Sequence, residues 1–298
     1  MRNRFLLVSV LTLGALLLVG SGVKASDTFS AIYNNSAPQV TIIYDTSNNA
    51  TNTVNNVLAT PFTVTGTSGV NNGVQFQAFC VDLWHTFQSP FSANLVTLSS
   101  SSTLQGLLAP NSSPAYTPGA NLANQLGYIG TVLAVANNVT GAGGQNLTDA
   151  LAAVQLAIWS LIDQPNASNP HFAGFKFSGG DTALNSDYAA IIAALGGTTS
   201  TSGGYTSASG LGGSSNATGT HSLVSSGSAS LTDYVTTPAY TSATLVQVDR
   251  SASTSQNLLT FAHNITTTSV TPEPSTMAIA GLGALGMIGY GWKRRKRA

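Results

Sequence analysis

The spacing of apolar residues changes twice along this chain, and those changes limit what it can fold into. From Thr28 to Thr86 the pattern is that of strands. The runs "PQVTIIYDT", "TPFTVTG" and "GVQFQAFCVDL" are rich in Val, Ile, Thr, Phe and Tyr, and Asn/Ser/Gly clusters such as "TSNNATN" and "TSGVNNG" separate them. Ser99 to Pro118 reads as a loop. From Ala120 to Asp163 the period becomes helical: Leu122, Leu126, Ile129 and Leu133 are spaced four, three and four. "LTDALAAVQLAIWSLID" starts a second helix, with Thr148 as the N-cap and Asp149 in the first turn, and Gln164-Pro165 stops it. The two helices read as a hairpin inserted into a β domain. Beyond Pro170, "HFAGFKF" reads as a strand, "YAAIIAALG" as a short helix, and "SATLVQVD" and "NLLTFA" as closing strands.

Charge narrows the function classes. Hydrophobic residues make up 43% of the 298-residue chain, enough for a sizeable core, but charged residues only 7%, against roughly 25% in ordinary domains. Between Ser26 and Thr271 the only basic residues are Lys176 and Arg250, beside nine Asp, so two minus nine leaves the body at −7. A body this poor in cations offers no stripe for phosphates, which excludes nucleic acid as a partner.

The remaining basic residues lie at the two ends. "MRNRFLLVSVLTLGALLLVGSGVKA" has a basic start, an apolar run from Phe5 to Val19, and a small-x-small site at Val23-Lys24-Ala25. It reads as a signal peptide cleaved after Ala25. At the other end, Met277 to Trp292 is an apolar, Gly-rich run of 16 residues, close to a membrane span, and "KRRKR" follows it. The positive-inside rule keeps that cluster in the cytoplasm and puts the body on the far side of the inner membrane. The order Pro272-Glu273-Pro274, Ser275-Thr276, apolar run, basic end resembles the PEP-CTERM sorting signal. The resemblance covers about the last 28 residues. It implies a Gram-negative host that makes exopolysaccharide, an exosortase that reads Pro272, Glu273 and Pro274, and transfer of the body to the cell exterior.

The single cysteine, Cys80, lies in "GVQFQAFCVDL". Side chains alternate across a strand, so Val74, Phe76, Ala78 and Cys80 share one apolar face and Cys80 points to the core. On the second helix Leu151, Gln155, Ile158 and Ile162 share one stripe, which places a glutamine among apolar residues. Each has a plain explanation, a buried cysteine and a glutamine bonded to strand backbone. Together they are also a thiol and a carboxamide able to condense into an internal thioester. "FCVDL" and "VQLAIW" resemble the two signatures of bacterial thioester domains, with Phe79, Cys80 and Asp82 matching the first and Gln155, Ala157 and Trp159 the second. That resemblance spans roughly Ile32 to Phe177. It implies a β-sandwich or barrel with a helical insertion, a Cys80–Gln155 thioester supported by Phe79, Asp82, Ala157 and Trp159, and covalent capture of a surface amine or hydroxyl by acyl transfer to Gln155.

Other chemistry finds little footing. A Cys/His hydrolase would need His85 or His171 beside Cys80, and strand phase turns His85 to the opposite face. Four scattered His with one Cys form no metal set, and no cofactor loop is present. The sequence therefore predicts an α+β chain: a signal peptide at 1–25, a thioester-domain-like β domain at 26–195 with its helical insertion at about 120–164, a Gly/Ser/Thr-rich loop at 196–229, closing strands at 230–262, a spacer at 263–271 and a sorting and anchor segment at 272–298. Its expected role is an exported surface or matrix protein that attaches covalently once per molecule, without turnover, and so is not an enzyme. The alternative is a non-covalent structural protein of an exopolysaccharide matrix, with Cys80 merely buried. Expected partners are the exosortase, the inner membrane in passing, and a nucleophile on exopolysaccharide or a surface protein.

Overall fold

Six strands pair edge to edge into a closed barrel. In the computed structural model these are β1 (Asp27–Tyr33), β4 (Phe62–Gly66), β5 (Gln75–Cys80), β6 (Phe91–Thr97), β12 (Thr244–Val248) and β13 (Leu258–Thr260), in the order β1-β4-β5-β13-β12-β6. The residues described are 27–33, 35–45, 51–81, 83, 86–97, 125–130, 132, 144–164, 174–211, 222–223, 229–230, 244–248 and 256–261. All belong to one compact unit, Ser26–Thr268. The Phe29 ring on β1 meets Phe76 on β5 at 6.0 Å and Phe91 on β6 at 5.9 Å. Strands β1 and β5 are not neighbours, so these rings point into the barrel and fill it.

A second sheet has the order β3-β2-β7-β9-β8, built from β2 (Gln39–Asp45), β3 (Thr51–Leu58), β7 (Lys176–Gly179), β8 (Thr198–Ser202) and β9 (Tyr205–Ser209). Helices α1 (Gly144–Ile162) and α2 (Thr182–Ala194) cover one of its faces. Phe177 on β7 meets the Tyr188 ring of α2 edge-on at 4.9 Å, and the Tyr188 hydroxyl lies 2.8 Å from Ser160 Oγ on α1. Lys176, one residue earlier, therefore turns to the opposite face, away from both helices. The short pair β10 (Ser222–Leu223) and β11 (Ala229–Ser230) stands apart.

The three quoted early runs and both closing strands form where their alternation placed them, and β12 and β13 close the barrel against β6 and β5. Residues 125–130 are helical, with Leu126 and Ile129 buried. Other expectations need correction. Helix α1 begins at Gly144, not at Thr148, because Leu147 also packs on the core and extends the helical stripe back by a turn. Asp149 therefore sits inside the helix. It is buried, and burial, then the nearby charges of Asp181 and Asp187, push its carboxyl upwards instead of a helix end stabilising its charge. The cluster "TSNNATN" runs into strand β3: Asn56 adopts φ +57°, which Asn tolerates, where the β2–β3 register slips through a bulge. The Gly/Ser/Thr-rich segment expected as a loop contains the hairpin β8–β9. Gly203 and Gly204 both take positive φ in its two-residue turn. Hydroxyls then pair across it, Thr198 with Ser209 at 3.1 Å and Ser200 with Ser207 at 3.2 Å. The signal peptide, the spacer and the anchor segment lie outside the described residues. Among the described residues no helix is long and apolar enough to cross a membrane.

Two buried aspartates tie the layers together. Asp163, just past α1, accepts from the Asp45 backbone N–H at the end of β2 (3.0 Å), and Asp45 accepts from the Gly174 N–H ahead of β7 (2.8 Å). Burial pushes the Asp163 carboxyl up to about 7; the Asp45 N–H opposes the shift and the Asp45 charge adds to it. In the unfolded chain the same group titrates near pH 4. The folded state thus binds the proton more tightly, and this contribution to stability is full below pH 4 and lost as the pH rises to 7. Urea unfolding at pH 4, 5.5 and 7 should show wild type losing roughly 2–4 kcal/mol over that range relative to Asp163→Asn. A second test concerns the β4–β5 turn. Asp27 accepts from the Val70 N–H (3.0 Å) and from Asn71 Nδ2 (2.6 Å), and a Cβ on Gly69 (φ +79°) would stand 1.7 Å from Asp27 Oδ1. Gly69→Ala should destabilise by about 1–3 kcal/mol in the same assay.

Candidate functional site

The site arises where one strand leaves the barrel early. Along β4 and β5 the hydrogen-bonded pairs step by two, from the Gly66 N–H on Val74 O (2.9 Å) through Val64 with Phe76 to Phe62 with Ala78. The next pair would be Thr60 with Cys80. The β4–β5 ladder ends one step short of it, at Phe62; ahead of Phe62 the chain turns aside, with the Ala59 N–H on Pro38 O (3.1 Å) and the Thr60 hydroxyl on Pro61 O (3.3 Å). On the other side of β5 the Val81 N–H donates to Asn257 O (3.2 Å), which fixes the phase of pairing with β13. The Cys80 N–H and C=O therefore both point to the vacated β4 side.

Gln155 of α1 takes that place. The Cys80 N–H donates to Gln155 Oε1 at 2.9 Å, and Gln155 Nε2 donates to Cys80 O at 2.8 Å. The carboxamide thus imitates a strand residue, with one acceptor and one donor at matching positions. Gln155 is 0% exposed and Cys80 4%. The Gln155 carbonyl carbon, lying between the two bonded atoms, is held against the residue that carries the thiol. Cys80 is in no disulfide, and its Sγ–H donates to Gln256 Oε1 at 3.3 Å. Helix α1 supports the arrangement from all sides: every residue from Asp149 to Asp163 is buried, so the helix is enclosed and not merely striped.

The predicted supporting residues divide. Trp159 shares the helix face of Gln155, one turn on, and its ring packs 5.7 Å from Phe175. Its Nε1–H is buried and has no hydrogen-bond partner among the described residues. Ala157 is buried but two residues from Gln155, so it faces elsewhere on the helix. Phe79 is buried on the face of β5 opposite Cys80, with its ring 6.2 Å from Phe261. Asp82, His85, His171 and Pro272 to Thr276 lie outside the described residues. Sequence reasoning missed Gln256. Nothing in "SQNLLT" marks it, and only the register Leu258↔Cys80 of β13 on β5 brings it to the thiol. Among the described residues no three His, Cys, Asp or Glu gather as a metal set.

Because Gln155 satisfies two buried backbone groups at once, Gln155→Leu should cost about 2–4 kcal/mol in urea unfolding, more than an isosteric core change. A loss under 1 kcal/mol would mean that other groups replace the carboxamide.

Comparison with known proteins bears on the end of the chain. Residues 270–296 match the family model described as the PEP-CTERM protein-sorting motif. No curated protein matches the chain, and no solved structure does. The C-terminal segment is thus a PEP-CTERM sorting signal with its membrane-anchoring part, and it marks an exported protein processed by an exosortase-type enzyme.

Proposed function

We propose that the exported body attaches covalently to a surface amine or hydroxyl through a thioester between Cys80 and Gln155. The observation that carries this reading is the two-point pairing of the Gln155 carboxamide with Cys80. In the forming step Sγ attacks Gln155 Cδ, the Cδ–Nε2 bond breaks, and the thiol proton leaves with the nitrogen as ammonia. The Cys80 N–H, 2.9 Å from Oε1, is aimed where negative charge develops on that oxygen. The leaving nitrogen starts out held by Cys80 O at 2.8 Å. In the capture step an amine or hydroxyl attacks Cδ, an amide or ester forms, and Cys80 regains its proton. Each molecule reacts once, so this is attachment and not turnover. The target is a nucleophile on exopolysaccharide or a surface protein, reached at the cell surface or after release from a Gram-negative cell. The Lys176 amine, turned to the far side of the second sheet, is kept from consuming the electrophile internally.

A second reading keeps Cys80 as a buried thiol in a non-covalent matrix protein. It is favoured by the same pairing, since the carboxamide already has partners for both its polar ends without any reaction. Intact mass of the secreted body separates the two. The thioester reading expects wild type lighter by one ammonia, with Cys80→Ala and Gln155→Ala each at the full mass of its own sequence. Full mass in wild type, together with a titratable thiol in the fresh folded protein, overturns it and leaves the matrix reading.

A further inference from the structure

We propose that Gln256 positions the incoming nucleophile at the Cys80–Gln155 bond, an inference that rests on the thioester reading above. Gln256 stands directly ahead of β13 and is half-buried, whereas Cys80 and Gln155 are almost fully enclosed. It is thus the most accessible of the three side chains. Its Oε1 accepts the Sγ–H of Cys80 at 3.3 Å. When the S–Cδ bond forms, the thiol hydrogen departs with ammonia. Gln256 Oε1 then loses that donor while standing beside the new bond.

An amine or hydroxyl approaching Cδ brings an N–H or O–H that can replace the thiol hydrogen on Oε1. Donating there turns its lone pair towards Cδ, which is the orientation that attack requires. The Cys80 N–H receives the developing oxyanion from the other side. As the S–Cδ bond breaks, sulfur keeps the bonding pair and takes the proton from the attacking nitrogen or oxygen. The restored Sγ–H can then return to Gln256. A carboxamide is neutral and neither gains nor gives up a proton near neutral pH, so Gln256 is a positioning residue and not a general base. It selects for a neutral nucleophile that still carries a hydrogen, which a primary amine in its free-base form or a sugar hydroxyl supplies.

The test uses the secreted wild type, Gln256→Leu and Gln256→Glu, with methylamine as the probe, followed by intact mass over a pH series. Leucine keeps the bulk and removes the acceptor; glutamate keeps an acceptor and adds a titration. The expected result is that all three lack one ammonia at the start. Methylamine then consumes Gln256→Leu about tenfold more slowly than wild type, the loss of one positioning hydrogen bond. With hydroxylamine, a weak base that keeps free amine in the carboxylate range, as a second probe, Gln256→Glu should recover the rate and gain a dependence on pH through that range that wild type lacks. Equal rates for wild type and Gln256→Leu overturn the role of Gln256 while leaving the thioester intact. Wild type at full mass removes the thioester itself, and the role of Gln256 with it. If Gln256→Leu is not secreted folded, Gln256→Glu decides alone: a pH profile identical to that of wild type overturns the role.

Discussion

Cys80 meets a helix because β4 ends too soon. Had the β4–β5 ladder run one pair further, Thr60 would have closed the Cys80 N–H and C=O and left α1 with no polar business in the barrel wall. It stops at Phe62 instead. Two buried backbone groups then need partners, since leaving them bare costs as much as an ordinary domain can spare. A glutamine is long enough to reach from a helix and has one donor end and one acceptor end. The carboxamide supplied by Gln155 fits the gap, and its helix is enclosed on all sides to hold it there. The barrel, the helix layer and the candidate chemistry all depend on that substitution of a side chain for a strand.

Much of this was legible in the sequence, and for identifiable reasons. The phase of residues 74 to 80 placed Cys80 inward, and the heptad-like spacing through Leu151, Gln155 and Ile158 placed Gln155 inward on its helix; both are local, short-range regularities. The sorting signal was legible because its three parts must follow one another in order. What escaped notice depends on long-range register. Gln256 reaches the thiol only because β13 pairs with β5 in one alignment, and no local pattern in "SQNLLT" specifies it. The β8–β9 hairpin was hidden by composition: Ser, Thr and Gly read as a linker until the two glycines are seen as a tight turn and the threonines as strand residues with paired hydroxyls. Strand β3 was hidden in the same way by its asparagines.

The buried aspartates show how few charges this fold uses and how it uses them. Asp27 fastens the β4–β5 turn and Asp45 and Asp163 lace the second sheet to the helix end, while the exposed Asp181 caps α2 by accepting from the Leu184 N–H. A body with so little charge commits these carboxylates to backbone N–H groups. The solvent faces of the second sheet are left to hydroxyls and amides, with Lys176 as the one cation among the described residues.

The barrel closes with its last strands, and this sets the order of events during folding. Cys80 contacts partners 75 and 176 residues further along the chain. Such wide separations make closure slow compared with the local hairpins. The chain is made from its amino-terminal end, so Cys80 is present long before α1, and α1 before β13. Until Leu258 pairs beside it, the thiol lacks a wall and faces whatever oxidants and disulfides the compartment holds. The completed barrel is therefore also the thiol's protection, and it arrives only with the last strands of the body.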